Sequence, residues 1–434
     1  MRFRPRLKFA PPPHSSHPHA AQPRRAGTPT RRRPRSSDET SARLRLRSGR
    51  ATVACTALAA ALTLAAAGCS SAASHDSTTS GASGSSAPGK GSKAVGFIFV
   101  GPKDDYGYNQ AAYEGSQEVK KAFPDLQVIT AENVPEDDNA ARVMDSMIQK
   151  GAKIIFATSY GHLDAALKVA AEHPDVVVVQ QGNVIANGKV TANVGTYFGT
   201  VYEPVFLAGI AAGKATKTNK LGYVYAFPIP QTIANIDAFE LGARSVNPNA
   251  KTYTVNTSNW CDPAKQAQAA QSLLSQGVDV ITQHQDCTAT VIKATEAAGA
   301  YTVGYHADAS SLAPKGWLTG SQWAWGPLYT DIVKTAEAGT FTGSKYNANY
   351  RVGYKNGANP FVQSPFGPSV TQETKDAIAA AKTSISAADG SPFKGPITDQ
   401  DGKVRIPAGT VPDYATLDTI DYFVDGVVGQ LPKS

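Results

Sequence analysis

The chain has little of what usually carries covalent chemistry. Its 434 residues hold four cysteines and three methionines, too sparse for a disulfide-stapled scaffold. No C-x-x-C, H-E-x-x-H or G-x-S-x-G occurs, so thiol redox, zinc-protease and serine-hydrolase chemistry lack their signatures. One near match to a phosphate loop, Gly84 to Lys90, has Gly91 where Ser or Thr is needed, and it sits in a linker instead of between a strand and a helix. Asp399-Gln400-Asp401-Gly402 lacks the remaining ligands of a calcium loop and fits a hairpin turn. No metal and no cofactor is expected, and the chain reads as a non-enzyme.

A positive charge on the body is also missing. Of 42 basic and 35 acidic residues, 14 and 2 precede Cys69, which leaves 28 against 33 from Cys69 onward. A mildly acidic body has no electrostatic reason to bind a phosphate backbone, so nucleic acid is excluded as a partner. The basic surplus lies ahead of one uncharged apolar run, residues 51–67, with Arg43, Arg45, Arg47 and Arg50 on its flank. That order is the order of an export signal. The run closes on Ala66-Ala67-Gly68-Cys69, which resembles a bacterial lipobox and predicts lipidation at Cys69. The long basic stretch ahead of it suggests that translation starts nearer Arg43.

Five regions follow: a basic extension and signal (1–68), a lipidated Cys with a flexible linker (69–92), a first lobe (93–218), a second lobe (219–325), and crossover and C-terminal elements completing both (326–434). Between Ser70 and Ser92, 20 of 23 residues are Ser, Gly, Ala, Thr or Pro, too apolar-poor to offset the entropy of ordering. The body alternates short apolar runs with longer amphipathic ones. Strands are predicted at 94–101, 126–131, 153–158 and 175–180, then at 220–226, 251–256, 278–284 and 301–305. Helices are predicted at 108–122, 137–150, 163–173, 231–245, 262–276 and 288–298. Two such series predict an α/β fold of two doubly wound, Rossmann-like lobes with a hinge and a cleft between them.

Ligands of such sheets gather at the carboxyl ends of the strands. Those ends carry Asp105, Tyr106, Tyr108, Asn109, Tyr160, Phe227, Trp260, Asp286 and His306, with Trp323 further on. Aromatic and polar groups recur in both halves and predict a small-molecule site. Alternatives stay open for several of them. Asp105 either binds or caps the helix from Tyr108; Trp260 and Trp323 either face the cleft or fill the core; His306 is a ligand partner or a satisfied structural histidine. Cys261 and Cys287 lie just past adjacent predicted strands, close enough in a β-α-β unit to be bridged outside the cell.

Several motifs in order resemble the basic membrane protein family of ABC-importer binding lipoproteins. Asp105 to Gly115 is similar to that family's D-x-S-F-N-x-x-x-x-x-G stretch, with Gly107 and Tyr108 in place of Ser and Phe. Glu203 with Leu207-Ala208-Gly209, Asn247-Pro248, Trp260 to Lys265, and Gln276 to Ile281 continue the match. Gly395-Pro396-Ile397 and Asp399 to Lys403 resemble the nucleobase-binding branch. The resemblance implies a type I periplasmic-binding-protein fold and a purine held between Tyr108 or Tyr106 and Trp260, with Asn109 fixing the base. His306 stands where nucleoside receptors carry Asp, which favours a free base over a ribose-bearing ligand. ABC permease subunits are the implied partners, the protein acting as a monomer on the extracellular face of the cell membrane. A ligand-sensing lipoprotein, or a receptor for a sugar or other small solute, is the alternative.

If Cys69 carries the anchor, Cys69→Ala should move the folded body from the membrane fraction to the soluble one. Cell fractionation checks this, and a variant retained with the membranes contradicts it.

Overall fold

The computed structural model describes residues 86–186, 190–356 and 360–432. The basic extension, the apolar run, Cys69 and the linker to residue 85 lie outside them. Residues 87–92, expected to belong to the flexible linker, instead form a turn docked on the body. Gly89 and Gly91 take positive φ, the Gly89 N–H donates to the Asp175 carbonyl (2.9 Å), and Ser92 is buried. Backbone that only glycine adopts freely makes the turn, so composition alone overstated the linker.

The first sheet is built from β1 (Ala94–Ile98), β2 (Gln127–Ala131), β3 (Ala152–Ala157), β4 (Val177–Gln181), β5 (Val194–Gly199) and β11 (Asn349–Val352), in the order β11-β5-β4-β3-β1-β2. Every neighbour pair is parallel. The second contains β6 (Lys220–Tyr225), β7 (Lys251–Asn256), β8 (Val280–His284), β9 (Tyr301–His306), β10 (Trp317–Trp323), β12 (Phe361–Gln363) and β15 (Val427–Val428), in the order β12-β10-β9-β8-β6-β7-β15. Only its β10–β12 pair is antiparallel. The β1, β4, β5 and β8 strands are buried at every residue, as expected of parallel sheets covered on both faces by helices.

The helices α1 (Tyr108–Ala122), α2 (Asp138–Gln149) and α3 (Leu163–Glu172) alternate with the first strands, and α5 (Pro230–Val246), α6 (Pro263–Ser275) and α7 (Ala289–Ala297) with those of the second sheet. Local chemistry starts some of them. The Asp262 carboxylate accepts the Ala264 and Lys265 N–H groups at the head of α6, and Pro263 presets the first turn. In both sheets the strand order reverses beside the first strand, between β1 and β3 and between β6 and β8. The carboxyl ends at those two switch points form the cleft. Asp399 to Gly402 makes the turn between the short antiparallel strands β13 (Ile397–Thr398) and β14 (Val404–Ile406), with the Asp399 carboxylate accepting the Asp401 and Lys403 N–H groups.

The chain passes between the sheets three times: from β5 through α4 (Tyr202–Ala215) to β6, from β10 through α8 (Gly326–Glu337) to β11, and from β11 to β12. The crossovers meet in one aromatic cluster. Trp323 stacks on Trp325 at 4.3 Å between ring centres and lies 5.0 Å from Phe198 and 4.9 Å from Phe361. A Cβ on Gly199 would stand 2.5 Å from Phe361 and 2.6 Å from Trp323, so glycine is what lets the strand pass through.

Buried carboxylates on α5 fasten it to the C-terminal segment and to β7. Asp237 accepts the Val424 N–H at 3.0 Å, and Glu240 accepts the Thr252 hydroxyl at 2.6 Å. Burial pushes the Glu240 carboxyl from 4.5 up to about 7 and raises Asp237 as well. A folded-state pKa above the unfolded one means that the folded chain binds more protons, so stability is lost as pH rises from 4.5 through about 7. Glu240→Gln should therefore flatten the dependence of stability on pH over that window, as measured by urea unfolding at several pH values. An unchanged slope contradicts the assignment.

Cys261 and Cys287 are joined, with Cα atoms 5.1 Å apart across 26 residues. Closing a loop of that length contributes roughly 3 kcal/mol through the unfolded chain. Cys261→Ser combined with Cys287→Ser should lower unfolding stability by about that amount, and non-reducing peptide mapping of the parent should recover the linked pair.

Candidate ligand-binding site

The two lobes touch through backbone. The Tyr108 N–H donates to the Asp286 carbonyl (3.2 Å), and the Thr288 N–H donates to the Asp105 carbonyl (3.2 Å). The Thr288 hydroxyl adds a bond to the Tyr106 carbonyl (2.6 Å). This clasp needs Gly107, where a Cβ would fall 1.9 Å from the Asp286 oxygen. The glycine that departs from the family's serine thus has a steric reason. A further link runs from the Gln231 amide on α5 to the Gly182 carbonyl after β4.

Beside the clasp lies a cavity of about 20 Å³, bounded by Tyr108, Ser159 and Tyr160 from one lobe and by Ile229, Trp260, His284 and Asp286 from the other, with Phe198 and Gln231. That is room for about one water molecule, so a solute enters only as the lobes part. Of the residues expected from the sequence, Tyr108, Tyr160, Trp260 and Asp286 meet here. Trp260 is half-buried, 5.0 Å edge-on from Phe227; Phe227 braces the indole and does not line the cavity.

Asp105 and Asn109 serve the loop. Asp105 accepts the N–H groups of Gly107, Asn109 and Gln110 and the Asn109 amide, four bonds of 2.8–3.0 Å. Burial still lifts its carboxyl to about 6, against the pull of those donors. The Asn109 carbonyl oxygen in turn accepts the Gly101 N–H at 3.1 Å. Both side chains shape the start of α1 and do not line the cavity. The capping alternative for Asp105 is the one its hydrogen bonds match. Tyr106 is 37 % exposed and adds its backbone carbonyl to the clasp.

His306 and Trp323 stand behind the cavity wall. The Trp323 indole N–H donates to His306 Nδ1 at 2.8 Å, and His306 Nε2 is buried with no partner among the described residues. Its ring is 5.1 Å from Tyr108. Burial, then the neighbouring His284, holds His306 well below the usual imidazole range, so it is neutral. Trp323 thus holds His306 from the aromatic cluster where the crossovers meet and does not line the cavity. The backbone is strained at this site: Tyr106, Ser258 and His306 have φ of 56°, 50° and 73°. Non-glycine residues rarely adopt such angles unless the surroundings impose them.

Asp286 brings a carboxyl to the cavity. It is 5 % exposed, lines the cavity, and its carboxylate meets no hydrogen-bond donor among the described residues. Burial first, then Asp105 and Glu136, raises its pKa well above the usual carboxylate range. Gln231 and His284 were not singled out as ligand contacts from sequence. His284 ends the run of β8 and passes for an ordinary strand residue, although Gln285 and Asp286 beside it mark the strand end.

Comparison with known proteins gives one family. Residues 92–384 match the Bmp family model, described as ABC transporter substrate-binding protein PnrA-like. A relative from Brucella abortus named as a purine-binding protein is 34% identical over 78% of this chain and 94% of its own. A Haloferax volcanii protein, whose name proposes glucose binding for an ABC transporter, is 32% identical over 78% of this chain and 81% of its own. Among solved structures, an ABC transporter solute-binding protein from Aeropyrum pernix aligns with a TM-score of 0.59 at 17% identity, covering 75% of this chain and 95% of that one. One from Conexibacter woesei has a TM-score of 0.56 at 21% identity, over 67% and 95%. At these identities the two structures speak for the fold, a type I solute-binding architecture. The chain belongs to the PnrA-like (Bmp) family of ABC transporter substrate-binding proteins.

Proposed function

We propose that the protein is the extracytoplasmic, lipid-anchored capture subunit of an ABC importer, that it closes its lobes on a purine base, and that it hands the base to permease subunits. The observation that carries the reading is the pairing, at one cavity, of Tyr108 and Trp260 from opposite lobes with the unpartnered carboxyl of Asp286. Flat apolar walls favour a planar ligand, and each aromatic contact contributes of order 1 kcal/mol beyond its area. A lone buried carboxyl then favours a ligand that brings its own N–H donors, since an unpaired buried polar group costs about 1–3 kcal/mol. The Brucella relative's name supports this ligand class.

A free base is favoured over a nucleoside. Where the family resemblance places a ribose-binding carboxylate, this chain has His306, neutral and with Nδ1 occupied by Trp323. A sugar is the second reading, favoured by the name of the Haloferax relative. Reversible capture calls for no catalytic group.

Trp260→Ala tests the assignment. Loss of the stacking face should weaken adenine binding by roughly 1–3 kcal/mol, about 5- to 150-fold, in calorimetric titration. The melting temperature should fall much less than for a core tryptophan, whose deletion costs about 3–5 kcal/mol. Unchanged affinity with a collapsed melting temperature means that Trp260 is core. Saturable binding of glucose, with no purine bound by the parent protein, replaces the purine reading with the sugar one.

A further inference from the structure

His284 lines the ligand cavity at the end of β8, two residues before Asp286, and is 5 % exposed. Its ring is caged. Trp260 lies 6.0 Å away, Tyr305 4.8 Å and His306 5.7 Å between ring centres. One side-chain amide meets it: Asn235 Nδ2 on α5 stands 3.2 Å from His284 Nδ1 and 2.8 Å from the Tyr305 hydroxyl. With the amide nitrogen donating, Nδ1 is the acceptor and the ring proton sits on Nε2. Burial holds the imidazole neutral, its pKa drawn down to about 3, so a single N–H is on offer. No partner for that N–H is found among the described residues.

We infer that His284 is a specificity-determining residue that donates its Nε2–H to an acceptor nitrogen of the ligand ring, and that with Asp286 it selects a neutral heterocycle carrying an sp² ring nitrogen and a nearby N–H donor. This rests on the purine reading and narrows it. Donor and carboxyl come from one strand end, so both address the same edge of a planar ligand. A sugar offers hydroxyls and no sp² nitrogen, and a protonated base would face a donor where it needs an acceptor. A site with a fixed buried donor rejects an analogue that lacks the matching acceptor, because the donor is then left without any partner. The imidazole also forms part of the bed under Trp260, so a phenyl ring keeps the shape while removing the N–H.

The test uses calorimetric titration of the whole mature protein with adenine and with 1-, 3-, 7- and 9-deazaadenine, each of which replaces one ring nitrogen with carbon. One deaza analogue should bind the parent roughly 5- to 150-fold more weakly than adenine. In His284→Phe that difference should shrink to within about twofold, the limit of ordinary additivity, and His284→Gln, which restores an N–H, should bring part of it back. Equal penalties in the parent and in His284→Phe overturn the role of His284 while leaving the purine assignment standing. So does a parent protein that binds every analogue as well as adenine, a result that needs no variant to fold. Failure of the parent to bind adenine at all overturns both.

Discussion

The contact between Gly107 and the Asp286 carbonyl is the constraint on which the cleft depends. With no Cβ in the way, the start of α1 reaches the end of β8, and two backbone bonds and one from the Thr288 hydroxyl close across the gap. Each contributes about 0.5–1.5 kcal/mol net. They also set the register that puts Tyr108 of one lobe against His306 of the other. Asp105 is the frame of this contact. By accepting four bonds from its own loop, it fixes where the Asp105 and Tyr106 carbonyls point.

Behind the clasp, a second constraint links the moving parts. The three crossovers share the cluster of Phe198, Trp323, Trp325 and Phe361, and Trp323 reaches from it to His306. Trp323 thereby connects the crossover cluster directly to the imidazole next to Tyr108. The crossovers and the site share one hydrogen bond. The strained φ of His306 belongs to the same arrangement, because a residue at ease in a strand would not present its ring both to Trp323 and to Tyr108.

Much of this was legible in the sequence, and the rest was not for identifiable reasons. Alternating apolar runs located β1 to β4 and β6 to β9 with the helices between them, because each repeats within a window of a dozen residues. The short strands β11 and β12, four and three residues long, have no such window; their partners β5 and β10 lie far off in the chain, and only the folded sheet defines them. At the site, the strand-end rule reached Tyr108, Tyr160, Trp260 and Asp286. It also selected Asp105 and Asn109, since residue type cannot reveal that an acceptor is already taken. It passed over His284, whose place inside a buried strand hides its ring, and Gln231, which matters only because α5 comes up against Gly182 of the other lobe.

The size of the cavity has a thermodynamic consequence. About 20 Å³ between Tyr108 and Trp260 is less room than a base needs, so the binding-competent molecules are those in which the lobes stand further apart. Observed affinity is then the intrinsic affinity scaled by the fraction of such molecules, about a hundredfold weaker if one in a hundred is open. Clasp residues that do not line the cavity, Gly107 and Thr288 among them, would thus tune how scarce a solute the protein can capture without touching it.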